Sequence, residues 1–385
     1  MADMSLNDII AASNSLRGYI NKTPVIESVS LRTKTNKQRV YLKCENLQRT
    51  GTYHIRGMLY KVIKLKEEDL AVNNFIIHSA GNSGAALSLA ANLYQGKAHV
   101  VVPKSINSNI LKSITHYKGQ YYECEPTSEA RNEKIKQLFN ELNYSKDKIN
   151  NTFRVCSIVK PYRDRTLMIG YATLGLEFLY QTELKVDCII VPVAGGLLLA
   201  GVALAVKKLK PNCAVYGADV VKNDKIDYHG GFYKTEDKKQ ETDLDSFKND
   251  VTTNAYNKPG ATTVKDIVKR PRVADSIVSP ISPVASEYIN AYVDGILHVD
   301  ELQLKKGFRY SYERLKLVVD IHAATAVAAL IEYADGNNNS AINNNPNNNV
   351  MNRNISLEHY KRVGVILSGG NVDLTHIPRL SDAKL

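Results

Sequence analysis

The chain has 385 residues, 44% of them hydrophobic and 23% charged, enough for one large or two medium domains with a buried core; this excludes a small scaffold that needs covalent staples. Its five cysteines, Cys44, Cys124, Cys156, Cys188 and Cys213, are widely spaced without Cys-pair or Cys/His ligand spacing, so neither a disulfide framework nor a zinc site is expected. The net charge of +11 raises nucleic acid as a partner, but the lysines fall in twos and threes interleaved with acids, Trp is absent and the 22 Tyr form no recognition motif, which indicates a solvated basic surface instead.

Residues 1–14 lack the basic start and long apolar core of a signal peptide and the arginines of a transit peptide, so a cytoplasmic location is expected. Leu6, Ile9, Ile10 and Leu16 follow helical spacing, and Thr23-Pro24 breaks that helix. A strand is expected at 40–44. Apolar runs then alternate with helical stretches: 75–77 before 84–93, 99–102 before 108–113, and 188–193 before 197–208. This alternation is the mark of βαβ units and hence of parallel sheets covered on both faces. Residues 188–206 carry no charge and reach the length of a membrane span, but a β-rich run, a glycine turn and a helix-forming run within them predict strand, turn and helix, with no membrane contact. Further on, a strand is predicted at 215–218, helices at 280–292, 299–317 and 323–333, long loops between 242 and 272, and a last buried strand at 362–367. The asparagine-rich segment 337–349 cannot bury enough apolar area to offset the entropy of ordering and is expected to be a disordered surface insertion.

Four segments could carry chemistry. The turn Val193-Ala194-Gly195-Gly196-Leu197 joins a strand to a helix, where backbone N–H groups and the helix dipole suit a phosphate; the bland reading is glycine for tight packing. In His78-Ser79-Ala80-Gly81-Asn82-Ser83-Gly84 the same backbone mechanism could hold a carboxylate or phosphate, with Asn82 as a side-chain donor, against simple capping by Asn82 or Ser83. The third runs from Lys43-Cys44-Glu45-Asn46 through Gly51-Thr52-Tyr53-His54-Ile55-Arg56-Gly57, and the fourth is Leu367-Ser368-Gly369-Gly370-Asn371-Val372-Asp373; each alone is a glycine-bearing loop.

Together and in this order they resemble the serine racemase and serine/threonine dehydratase family, pyridoxal-phosphate enzymes of fold type II (tryptophan-synthase-β-like). The resemblance also takes in Pro161-Tyr162-Arg163-Asp164 and Gly170-Tyr171-Ala172-Thr173 with Glu177. It implies an α/β fold of two open twisted domains, with mostly parallel sheets and the ligand cleft between them. A small domain (73–154) is inserted into a large one (1–72 and 155–385).

The family's Schiff-base lysine lies in a Ser-Phe-Lys-x-Arg-Gly motif, and here the matching residue is His54, whose imidazole cannot form that bond. The serine that racemases place on the opposite face matches Ala80, which has no proton to exchange. Other positions survive: Ser79, Gly81, Asn82 and Ser83 match the substrate-binding loop, Asn82 the contact to the cofactor's 3′-oxygen, and Ser368 the contact to its pyridine nitrogen. Ala194, Gly195, Gly196 and Leu197 match a four-glycine phosphate cradle; the Cβ of Leu197 is expected to disfavour positive φ and weaken phosphate binding. Tyr171 and Ala172 alter a site loop, and Asp320-Ile321 replaces a Glu-Pro pair. The family's divalent-cation site is incomplete here: Asp219 and Asn223 are present, but Lys225 aligns with an expected acid and Lys222 adds positive charge, unless Asp224 substitutes by a register shift. Lys61, seven residues beyond His54, is about 10 Å along a helix and badly placed for the aldehyde.

These departures imply a pseudoenzyme with lost or strongly reduced pyridoxal-phosphate catalysis. It would keep a pocket for a small amino-acid-like ligand or phosphate without covalent attachment, and would form a homodimer or a heterodimer with an active homologue. The alternative is an L-serine/L-threonine ammonia-lyase in which His54 acts as an unconventional base. A second alternative is a basic, non-catalytic binding protein.

Overall fold

Strand β7 (Cys188–Pro192) is buried along its whole length and faces two cores: Ile189 and Val191 join one, Cys188 and Ile190 the other. That is the period-2 consequence of a strand covered on both faces, and it explains why the run reads as continuously apolar. The protein is described here from a computed structural model covering residues 4–106, 108–143, 155–220, 281–335, 355–372 and 377.

β7 lies inside a six-stranded sheet with the order β1 (Val25–Glu27), β2 (Arg39–Cys44), β10 (Arg362–Leu367), β7, β8 (Ala214–Val220), β9 (Gly295–Val299). Only β1 is antiparallel to its neighbour; the remaining pairs are parallel. A four-stranded, all-parallel sheet has the order β5 (Gln120–Cys124), β4 (Lys97–Pro103), β3 (Val72–His78), β6 (Val155–Ile158). Through β6 the smaller sheet extends past residue 154.

The opening helix α1 (Leu6–Leu16) forms as the spacing predicts, started by a Ser5/Asp8 capping box and burying Ile9, Ala12 and Leu16. Short α2 (Val29–Lys34) follows β1, and α3 (His54–Glu68) crosses α7 (Arg165–Gln181) closely. Two glycines permit that approach: a Cβ on Gly170 would lie 2.7 Å from the Arg56 carbonyl oxygen, and one on Gly57 would lie 2.7 Å from Cζ of Tyr171. Helices α4 (Asn82–Leu93), α5 (Ser108–His116) and α6 (Ser128–Asn143) serve the smaller sheet, and α8 (Leu197–Leu209), α9 (Pro283–Tyr292), α10 (Glu301–Tyr310) and α11 (Ile321–Tyr333) the larger. Among the described residues no helix is long and apolar enough to cross a membrane.

Three expectations need correction. The helix predicted over 299–317 is instead the end of β9, a helix started by an Asp300/Gln303 capping box, and a π-helical turn over Ser311–Leu315; the buried β-branched residues of 295–299 select a strand in the sheet. The helix predicted over 280–292 begins at Pro283, because the Ser282 side chain caps it. The segment around residues 43–57 is no simple loop: β2 ends at Cys44, a 3-10 turn occupies Glu45–Leu47, and α3 starts at His54. Segments 242–272 and 337–349 lie outside the described residues.

Candidate active site

Strands β3, β7 and β10 all end at one cavity of about 540 Å³. The first turns of α3 (His54), α4 (Asn82, Ser83), α8 (Leu197) and α11 (Ile321, His322) line it. Four helix N-termini therefore contribute partial positive charge and N–H donors to a single volume, a setting that favours an anion.

The α8 turn has one left-handed residue, Gly196 at φ +87°, and it is the N-cap. The expected conflict at Leu197 does not arise. Leu197 begins the helix with ordinary φ and its side chain is buried in the core, so the glycine that needs conformational freedom is one the sequence retains. A Cβ on Gly196 would also meet Ala285 Cβ at 2.8 Å. Ala194 borders the cavity, and Tyr162 packs against Gly195.

At the α4 turn the cap is neither Asn82 nor Ser83. Gly81 is the N-cap, and Ser79 Oγ accepts from the N–H groups of Gly81 (3.1 Å) and Gly84 (3.0 Å) while donating to the Gly81 carbonyl (3.0 Å). Ser79 thus shapes the loop from within. Ala80 is exposed beside it, with Ser83 on the same wall. Asn82 Oδ1 accepts from Asn371 Nδ2 (2.8 Å), which also donates to the Thr50 carbonyl (2.9 Å), so the second and fourth segments are tied across the cleft.

His54 is half-buried on the cavity wall, its Nδ1 3.2 Å from Thr52 Oγ1, and Nε2 has no hydrogen-bond partner among the described residues. Its ring lies 4.0 Å from that of Tyr53 and 6.3 Å, edge-on, from that of Tyr171. Burial, with a smaller push from His322, lowers its pKa to about 3, so the imidazole is neutral at physiological pH. Ser368 is buried at the end of β10, its carbonyl accepting from Tyr53 N–H (3.1 Å), and its hydroxyl borders the cavity without a partner among the described residues. Asp320 caps α11 through Oδ1 to the Ala323 N–H (2.9 Å), and burial raises its carboxyl above the usual range.

No lysine or arginine is among the described residues lining the cavity. Lys61 pairs with Asp164 at 2.9 Å. Lys43 lies in a buried cluster behind α3, where Arg56 bridges Glu45 (2.7 Å) and Glu177 (3.1 Å) and Lys43 also meets Glu177. Asp219 is the last residue but one of β8, with Oδ1 accepting from Val220 N–H (2.8 Å); burial raises its pKa to about 6. Asn223, Lys222, Asp224 and Lys225 lie outside the described residues.

The family profile described as pyridoxal-phosphate dependent enzyme matches residues 16–342. The chain belongs to that family. Serine racemase of Dictyostelium discoideum is 29% identical over 382 residues, covering 99% of this chain and 98% of its own. Its crystal structure superposes with a TM-score of 0.72 over 97% of this chain and 100% of that one. Human serine racemase is 30% identical over 374 residues, 97% of this chain and 92% of its own. The crystal structure of a T.th. threonine deaminase matches with a TM-score of 0.69 at 25% identity, over 96% and 99% of the two chains. The fold is that of the fold type II pyridoxal-phosphate enzymes.

Membership implies pyridoxal phosphate as the group for this cavity, and the residues fit it only in part. Gly195, Gly196 and the first turn of α8 would suit its phosphate, and the Ser368 hydroxyl, without a partner among the described residues, would offer its ring a polar contact. No described residue of the lining offers a primary amine. Sequence reasoning placed Tyr171 in a site loop and Tyr53 beside His54, but missed that their rings form one wall, and missed His322. Their signal was the unusual pairing of a histidine with tyrosines on both sides of the α3–α7 crossing.

Proposed function

We propose that this family member binds a pyridoxal-phosphate-like or small amino-acid-like anion without a covalent bond, and that its catalysis is lost or strongly reduced. The observation that carries this is that no described residue of the cavity wall is a lysine, with His54 at the start of α3 in the motif where the family has its reactive lysine. Ala80, exposed on the opposite loop, offers no proton to exchange, which argues equally against racemisation. The ammonia-lyase reading needs His54 as a base. A general base works best with a pKa near the operating pH, and an imidazole lowered to about 3 has little affinity for a substrate proton.

The test is a visible spectrum of the purified protein with added pyridoxal phosphate, then borohydride reduction and intact mass, with L-serine and L-threonine assayed for pyruvate and 2-oxobutyrate. We expect no reducible adduct and no product above the cofactor-only background. A lysine carrying the reduced cofactor, or sustained keto-acid formation, overturns the reading. Assembly, as a homodimer or with an active homologue, is checked by native mass of the chain alone and after mixing.

A further inference from the structure

The cavity is chemically lopsided. On the α8 side it presents the glycine turn and backbone donors. Around His54 it presents acceptors and rings: a Cβ on Gly369 would touch both the Asp320 carboxylate and, at 2.7 Å, the methyl of Thr52, so Asp320 and the His54–Thr52 pair flank the same glycine. Tyr53 and Tyr171 wall this side, with ring centroids 4.9 Å apart. No lysine or arginine among the described lining residues balances Asp320.

We propose that the cavity selects a phosphorylated pyridoxyl compound carrying its own primary amine, of the pyridoxamine phosphate class, over the aldehyde, with Asp320 and the unpartnered nitrogen of His54 receiving the ligand's ammonium. This rests on the noncovalent reading above. An ammonium is donor-only and needs acceptors, and an ionised carboxylate is acceptor-only. In the tautomer whose Nδ1–H donates to Thr52 Oγ1, Nε2 of the neutral ring is an acceptor as well. Aromatic faces add attraction for a cation. An aldehyde oxygen, itself an acceptor, would instead face the Asp320 carboxylate. Burial makes that carboxylate costly, offset in part by His322 and by the N–H groups of His322 and Ala323, and an incoming ammonium adds a full counter-charge. Ser368, 3% exposed and without a side-chain partner among the described residues, gives the ring of such a ligand a polar contact between the two sides.

The experiment titrates the unmodified protein by calorimetry with pyridoxamine phosphate, pyridoxal phosphate, pyridoxine phosphate and inorganic phosphate, with borohydride reduction and intact mass run in parallel. Pyridoxamine phosphate should bind at least about tenfold tighter than the other three. Noncovalent binding of the aldehyde or the alcohol as tight as that of the amine overturns amine selection and leaves the noncovalent reading standing. A reduced adduct on the unmodified protein overturns that reading, and no saturable binding by any pyridoxyl phosphate overturns both. Asp320→Asn, which keeps a helix-capping side chain, should shrink the preference to within about threefold. In His54→Lys the new amine condenses with the aldehyde, losing water, so the preference should reverse with a borohydride-stable adduct at position 54. A preference for the amine unchanged in both variants overturns the roles assigned to Asp320 and His54.

Discussion

A Cβ built on Gly195 would stand 2.5 Å from Cδ1 of Tyr162, so glycine and ring are in direct contact at the edge of the cavity. Tyr162 is 45% exposed at the surface side of this contact, whereas the neighbouring Gly196 combines φ +87° with buried Ala285 and Ile281 behind it. Gly196→Ala should therefore cost about 1–3 kcal/mol, from strain at positive φ and overpacking, and Gly195→Ala clearly less. Urea unfolding midpoints of the two variants check this order; equal losses would show that the left-handed conformation is not what limits the turn.

The buried cluster behind α3 should be the most sensitive polar position. Arg56 is 1% exposed and Glu45 is fully buried, each satisfied mainly by the other and by Glu177, Thr23 or Lys43. Glu45→Gln leaves a buried guanidinium short of its counter-charge and should destabilise by about 3–5 kcal/mol. Glu27→Gln, removing an exposed partner of Arg39, should change stability by no more than about 1 kcal/mol. Guanidinium unfolding of both variants makes the comparison.

Acid stability should carry the signature of buried neutral histidine. Burial lowers His298 from 6.5 to about 4. Between those values the unfolded chain binds the proton and the folded chain does not, so stability rises with pH through this window and is lost as pH falls from about 6.5 to about 4, by about 3 kcal/mol when complete. His298→Gln should flatten that part of the profile, measured as thermal midpoint against pH. An unchanged slope would assign the acid loss to other groups.

Lys61 should be a bystander to ligand binding. It lies outside the cavity lining and is paired with Asp164, whose side chain also caps α7 by accepting from Thr166 N–H (2.8 Å). Lys61→Met should leave the spectrum and affinity with pyridoxal phosphate unchanged while lowering stability by about 1 kcal/mol. A loss of binding would place this lysine in the site.

Much of this was legible in the chain because the strands feeding the cavity are buried on both faces. The runs around residues 75–77, 188–193 and 363–367 are apolar without interruption, and each leads into small residues that begin a helix or end at the cleft. The 295–299 strand was hidden: five residues are too few to show a period, and the capping box just after it directs attention to the helix. At the site, residue types could be read but directions could not. Ser79 reads as a ligand contact and also braces its own loop, while Leu197, read as needing positive φ, starts its helix with ordinary φ and joins the buried cluster. Both outcomes depend on backbone conformation, which a side-chain pattern does not encode.

Strand β10 lies between β2 and β7, partners more than 170 residues away in sequence. A nascent polypeptide that has already released everything up to β9 still has a gap in the middle of its larger sheet, with two unsatisfied strand edges facing each other. Closure must wait for translation to reach residue 367, and contacts of such long sequence separation form slowly. During that interval the half-built sheet is the state most in need of a chaperone.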